Sequence, residues 1–284
     1  MKILAIGDSF TAGAELIDEF EVPKHPGYFS EPPRTDSENS SINAWERKHR
    51  YPWIRANYKT SELFKIMTDK EKARSYPNLI ANKLDCEVTN LALSGASMYN
   101  LTRMLLDKIL FEKDFSDTII FYQPTGMDRI CQYMQNDWKD FILPNLENYN
   151  WAGKDFMNWL KQTISYENDY SLIMAWFKEF YTALNLIKTT NCKQFYLVDT
   201  GFKSKLDNAL RSIYDNTQKN EVMKYRIHLE HSTVNKWLNL GSSAQQLAKT
   251  GYTETHCPMG HFSPRVHEHF AETIVNKLKT ENII

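Results

Sequence analysis

The chain has 284 residues, with 34 Lys and Arg against 35 Asp and Glu and a formal net charge of -1. That length allows one large α/β domain or two small ones with a sizeable core, and the near-neutral balance gives no global field to draw the chain to nucleic acid or an anionic membrane. No window reaches the apolar length of a membrane-spanning helix, and the first apolar run is too short for a signal peptide and is broken by Asp8, so a soluble, cytoplasmic protein is expected.

Lys2-Ile3-Leu4-Ala5-Ile6 reads as a short buried strand that ends abruptly in Gly7-Asp8-Ser9-Phe10-Thr11-Ala12-Gly13, a glycine-bounded turn. Ala14 to Asp69 follows, a long polar stretch without sustained periodicity that carries Pro23, Pro26, Pro32 and Pro33. Its second half sets Trp45, Tyr51, Trp53 and Tyr58 among Arg47, Lys48, His49, Arg50 and Arg55, which reads as an ordered wall or lid. Such an aromatic and basic mix also suits single-stranded nucleic acid, but the neutral overall charge argues against it.

Regularity resumes with a helix over Tyr76 to Leu84, Pro77 fitting its first turn. Glu87 to Ala92 reads as a second strand, closed by the turn Leu93-Ser94-Gly95-Ala96-Ser97. A helix over Tyr99 to Phe111 should bury Leu101, Met104, Leu105 and Leu110, and Asp117 to Tyr122 is a third strand ending at Gln123-Pro124-Thr125-Gly126. Met127 to Asn150 fits no regular pattern. Asp155 to Lys188 holds two helical patterns, and Lys193 to Val198 is the next strand. Gly201 to Tyr225 is polar and reads as loop-rich; a short helix over Ser242 to Thr250 and a final one from Pro264 or Arg265 to Lys279 close the chain. The alternation of strand and helix predicts a parallel sheet wound by right-handed crossovers in a single domain, 1–284, with insertions at about 14–69 and 127–188.

A strand followed by a glycine-bounded turn holding a serine presents a nucleophile outside the carboxyl end of the strand, although the same heptapeptide also serves as a plain turn and helix N-cap. A serine hydroxyl needs a base within hydrogen-bond reach. Among the eight histidines, His261 stands out because it precedes Pro264, where the final helix begins, and can project over the sheet edge beside Ser9. His267 and His269 lie within that helix, where outward-facing, solvated positions are expected. The four cysteines, Cys86, Cys131, Cys192 and Cys257, lack CxxC or metal-ligand spacing and predict reduced, buried thiols. No P-loop, no GxGxxG after a strand and no HExxH is present, and His256 with His261 lacks further convergent ligands, so no cofactor and no metal is expected.

Gly7-Asp8-Ser9-Phe10-Thr11-Ala12-Gly13 resembles the first sequence block of the SGNH, or GDSL-type, hydrolases. Asn90 to Ser97 is similar to that family's second block. The stretch His261-Phe262-Ser263-Pro264-Arg265-Val266-His267-Glu268-His269-Phe270-Ala271-Glu272-Thr273-Ile274 resembles the last, in which the base opens the terminal helix. The resemblance implies a three-layer α/β/α sandwich of flavodoxin-like type with a parallel central sheet. It makes Ser9 the nucleophile and His261 the general base, with the backbone N–H groups of Ser9 and Gly95 holding the oxyanion. It covers neither Ala14 to Asp69 nor Met127 to Lys188. Two positions depart from the family. Its third block, Gly-x-Asn-Asp, is replaced by Gln123-Pro124-Thr125-Gly126-Met127-Asp128-Arg129, where Thr125, or else Gln123, is the candidate third donor. The acid three residues before the base is replaced by Pro258, leaving Glu254, His256 or a backbone carbonyl to orient His261.

The resemblance therefore implies a serine esterase or acylhydrolase, with transfer to an acceptor other than water as a variant. The exposed aromatic and polar insertions suit a small-molecule or glycan ester, such as an O-acetylated carbohydrate, better than a long acyl chain. The alternative is a non-catalytic binding or structural module on the same scaffold, associated with a virion or a surface.

Overall fold

The computed structural model describes residues 1–14, 16, 62–127, 129–134, 137–142, 153–166, 169–252, 255–256 and 261–284. Most of the 14–69 insertion, including the stretch expected to form a wall or lid, lies outside the described residues, as do Glu254, Cys257 and Pro258.

The first strand, β1 (Lys2–Ile6), is followed by a single helical turn, α1 (Ser9–Ala12), then α2 (Glu62–Arg74), α3 (Tyr76–Leu84) and β2 (Glu87–Asn90). Next come α4 (Met98–Phe111), β3 (Thr118–Tyr122), the hairpin strands β4 (Arg129–Met134) and β5 (Asp137–Ile142), α5 (Lys154–Tyr166) and α6 (Asp169–Thr189). The chain closes with β6 (Gln194–Asp199), α7 (Phe202–Ser212), α8 (Asn216–Ser232), β7 (Trp237–Asn239), α9 (Leu240–Lys249) and α10 (Pro264–Thr280).

Five strands form one parallel sheet in the order β2-β1-β3-β6-β7, with β4 and β5 as a separate antiparallel pair. Ile3 to Ile6 and all of β3 are buried, as expected of strands covered on both faces. Alternation along the strands makes two cores. Leu4, Ile6, Ile120, Tyr122 and Leu197 pack with α4, α6, α7 and α8 on one face, where Trp176 and Phe180 stack with ring centroids 4.9 Å apart. Ile3, Ala5, Ile119, Phe121, Tyr196 and Val198 pack with α3, α9 and α10 on the other. This is the three-layer α/β/α sandwich.

Several expectations are corrected. Gly201 to Tyr225 is helical rather than loop-rich: α7 buries Leu206 and Leu210, four residues apart, and α8 buries Val222 and Leu229. Met127 to Asn150 contains the β4–β5 hairpin. Leu110 is 64% exposed, because the buried stripe of α4 runs through Met98, Leu101, Thr102 and Leu105 instead. His267 is buried within α10, not solvated. Cys86, Cys131 and Cys192 are free thiols, partly rather than fully buried. Among the described residues, no helix is long and apolar enough to cross a membrane.

The turn after β1 is tightly packed at both of its glycines, Gly7 and Gly13. Gly13 ends α1 in the left-handed region (φ 75°, ψ 35°) with its N–H on the Ser9 carbonyl. A Cβ there would lie 2.6 Å from the Glu71 backbone oxygen and 2.8 Å from Ser75 Cβ. Both the backbone and the space demand glycine. Gly13→Ala is therefore expected to lower stability by ~1–3 kcal/mol or more, seen as a lower urea midpoint at unchanged slope.

Candidate active site

The strand order reverses at β1: the chain passes from β1 to β2 on one side and then to β3 on the other. In open α/β sheets that reversal leaves a crevice at the carboxyl ends of the strands. The loops after β1, β2 and β3 all open there, and they carry Ser9, Gly95 and Thr125.

Gly7 lets the loops come together. A Cβ on it would sit 2.6 Å from Thr11 Oγ1 and 2.7 Å from Gln123 Oε1, so a larger residue would push the turn off the β3 loop. Asp8 caps α1, its Oδ1 accepting the Phe10 N–H at 3.1 Å. Ser9, 5% exposed, is the first residue of that turn, where a backbone N–H has no acceptor within the helix. Beyond β2 the parallel ladder continues, Leu91 N–H donating to the Ala5 carbonyl and Leu93 N–H to the Gly7 carbonyl, each at 2.9 Å. This lays the Ser94-Gly95 turn beside the turn that holds Ser9. Gly95 is left-handed (φ 85°), and a Cβ there would meet nothing within 4 Å. The backbone conformation, not crowding, calls for glycine at that position.

Asp8 is 3% exposed and heavily bonded. Gln123 Nε2 donates to its Oδ1 at 2.6 Å, and Thr125 Oγ1 donates to its Oδ2 at 3.1 Å. Arg129 Nη1, from β4, pairs with Oδ2 at 3.1 Å. A buried carboxylate is tolerable when it is paired and its lone pairs are met, as here. Gln123 uses its other capacity nearby: Oε1 accepts from Thr11 N–H and Oγ1 at 3.1 and 2.6 Å, and Nε2 also donates to Thr200 Oγ1 at 3.2 Å. The Thr125 N–H faces Met98 Sδ at 3.3 Å, and its carbonyl accepts from Trp176 Nε1 at 2.8 Å. The donors of Thr125 and Gln123 are thus turned to Asp8 and its surroundings.

His261 lies in the segment that leads into α10. Its ring packs on Phe10, the residue after Ser9, with centroids 5.0 Å apart; Phe10 also meets Phe262 at 5.5 Å. A bridge between His256 and Phe262, with the Ser263 N–H on the Thr255 carbonyl at 3.0 Å, fixes that segment. His256 Nδ1 lies 3.0 Å from Thr255 Oγ1. Ser9, Gly95 and His261 therefore gather at one end of the sheet, and Thr125 joins them through Asp8. Among the described residues no hydrogen bond links Ser9 Oγ to His261. Among the described residues no cluster of three His, Cys, Asp or Glu side chains could hold a metal ion.

Sequence reasoning missed the Asp8–Arg129 pair. One signal was available: Asp8 lies two residues beyond the end of a buried strand, and a carboxylate so placed needs a cation. Which cation supplies it depends on a hairpin with no clear strand pattern.

No protein-family model matches the chain, and no curated protein matches it. Among solved structures, a member of the lipolytic G-D-S-L family from Veillonella parvula is similar at 12% identity and TM-score 0.47, with 98% of each chain covered. An acetylxylan esterase from Geobacillus stearothermophilus, in a catalytic-mutant form, is similar at 10% identity and TM-score 0.44, covering 98% of this chain and 93% of that one. A psychrotrophic esterase from a Pseudoalteromonas species, inhibited by monoethylphosphonate, is similar at 9% identity and TM-score 0.43, over 99% and 97%.

Behind His261, His267 is buried in α10. Its Nδ1 accepts the Tyr76 N–H at 3.1 Å, so in the neutral ring the proton sits on Nε2. Burial, with a smaller contribution from charge on His261, pushes its pKa down to about 3. An unfolded histidine titrates near ~6.5, so below that pH the unfolded chain takes a proton that the folded chain refuses. The stability associated with neutral His267 is complete above ~6.5 and is lost as pH falls toward its folded value, by ~1.4 kcal/mol per pH unit. His267→Gln is expected to be less stable than wild type at pH 7.5, with the gap shrinking by more than ~1 kcal/mol at pH 5. Urea midpoints at the two pH values test this; parallel shifts in both proteins would refute it.

Proposed function

We propose that the chain is an SGNH-type serine esterase or acylhydrolase. Ser9 Oγ attacks the ester carbonyl while His261 takes its proton, and the oxyanion that forms is held by the backbone N–H groups of Ser9 and Gly95. His261 returns the proton to the leaving alcohol, giving an acyl-enzyme. Water, deprotonated by the same imidazole, then releases the acid and restores Ser9. Backbone donors aimed at charge that develops only in the transition state contribute a few kcal/mol each in such chemistry.

The observation that carries this reading is the packing of the His261 ring on Phe10, beside Ser9, at the crevice where the strand order reverses. No second histidine of the described residues touches the nucleophile turn in this way. The substrate class proposed is a short acyl ester, with the O-acetyl group of a carbohydrate first among them. The aromatic and polar insertions of the sequence favour a sugar over a long acyl chain.

A non-catalytic module on the same scaffold draws on a specific observation, namely that the donors of Gln123 and Thr125 are directed to Asp8 and not left open for an oxyanion. A fluorophosphonate probe separates the two. Wild type is expected to be labelled at Ser9, and both Ser9→Ala and His261→Ala to lose labelling. Hydrolysis of short acyl esters should fall by ~10³-fold or more in each variant. Folded wild-type protein that takes no label would instead establish the binding module.

A further inference from the structure

Arg129 belongs to the hairpin inserted after β3, outside the part of the chain that resembles the family. Its Nη1 reaches two acceptors at once: Asp8 Oδ2 at 3.1 Å and the Ala96 carbonyl oxygen at 3.1 Å. Asp8 directly precedes Ser9, and Ala96 directly follows Gly95. One guanidinium nitrogen therefore ties the two turns whose N–H groups are the proposed oxyanion donors. The side chain is 12% exposed and its Asp8 partner 4%, so the pair is shielded from the solvent screening that weakens surface ion pairs.

The hairpin grips the Gly95 turn from its other side as well. Asp140, on β5, accepts the Ser97 N–H at 3.0 Å and Asn100 Nδ2 at 2.7 Å, capping α4 where the turn runs into it. Residues 96 and 97 are thus held from β4 and β5 respectively. These contacts add to the backbone bonds of the turn itself, the Leu93 N–H on the Gly7 carbonyl at 2.9 Å and the Ala96 N–H on the Leu93 carbonyl at 3.1 Å.

We infer that Arg129 is the positioning residue of the oxyanion site: it sets the spacing of the Ser9 and Gly95 donors, and the β4–β5 hairpin is the element that delivers it. The inference rests on the proposed roles of Ser9 and Gly95. Donors that act on transition-state charge depend steeply on placement, and a displacement of ~1 Å can cost ~10²-fold in rate. Lysine keeps the charge but carries it on a compact ammonium at the end of a flexible stem, without the rigid guanidinium plane that fixes Nη1 between the two acceptors, so it restores the tie only in part.

The test uses steady-state hydrolysis of a short acyl ester and the rate of fluorophosphonate labelling, both on full-length protein well below its melting temperature. Arg129→Gln is expected to lower kcat by ~10–100-fold with KM within about twofold, and to slow labelling by a similar factor. Arg129→Lys should fall between the two. A purely structural pair would lower the melting temperature and leave kcat per folded molecule unchanged, and that outcome overturns the inference while the Ser9 assignment stands. Because removing Arg129 alone leaves a buried carboxylate, the double variant Asp8→Asn with Arg129→Met serves as a neutral pair. It should fold and yet keep the low kcat, whereas wild-type kcat in it would also overturn the inference. If wild type itself is neither labelled at Ser9 nor active, the enzyme reading has failed and the inference falls with it.

Discussion

The site depends on one buried charge. The Asp8 carboxylate sits just beyond a strand buried from Ile3 to Ile6, where an ion without partners would be far too costly. Its partners come from its own turn (Phe10 N–H), from the loop after β3 (Gln123 and Thr125) and from the hairpin (Arg129). Ser9 is covalently next to it. The position of the serine is therefore set less by its four-residue helix, which has no stability of its own, than by long-range contacts that satisfy Asp8.

Those contacts extend across the fold. His267 in α10 accepts from the Tyr76 N–H, and the Tyr76 hydroxyl meets Thr11 Oγ1 at 3.1 Å. Thr11 in turn bonds Gln123, and Gln123 bonds Asp8. The terminal helix, whose leading segment carries His261, is joined in this way to the turn that carries Ser9. Burial keeps His267 neutral, which preserves the acceptor at the head of the chain. Two segments from opposite ends of the sequence are held in register by polar groups inside a dry core, where each bond is stronger and each missing partner more costly.

The sheet was legible in the sequence because its strands are apolar runs bounded by turn residues, and β1, β2, β3 and β6 lie within a few residues of their predicted places. The final helix was legible through Phe270, Ile274 and Leu278. What escaped did so for physical reasons. Helix α8 buries only Val222 and Leu229 among its described faces, too sparse a stripe to mark a period. Strand β7 is three residues long, and the pattern of β4 and β5 serves a hairpin that packs on loops and a helix end, not on the main sheet. In α7 the signal was present, with Leu206 and Leu210 four apart, but was outweighed by the polarity around them. For the site, the turn glycines and the approximate placing of Ser9, Gly95 and His261 could be read locally. Arg129 could not, because its role depends on where a separate hairpin docks.

The departure at the third block follows a consistent logic. A side-chain donor can bond a permanent anion or wait for a transient one, but the same hydrogen cannot do both. Thr125 spends its hydroxyl hydrogen on the Asp8 carboxylate, and Gln123 divides its amide donors between Asp8 and Thr200 Oγ1. Their contribution is then to hold a turn in place and not to meet charge in the transition state. On the proposed assignment the oxyanion falls to backbone N–H groups, and these need no side-chain reorganisation, only a fixed distance between two turns. A site that relies on backbone donors in this way gains most from rigid support, and the Arg129 bridge between Asp8 and Ala96 supplies it from an insertion rather than from the sheet.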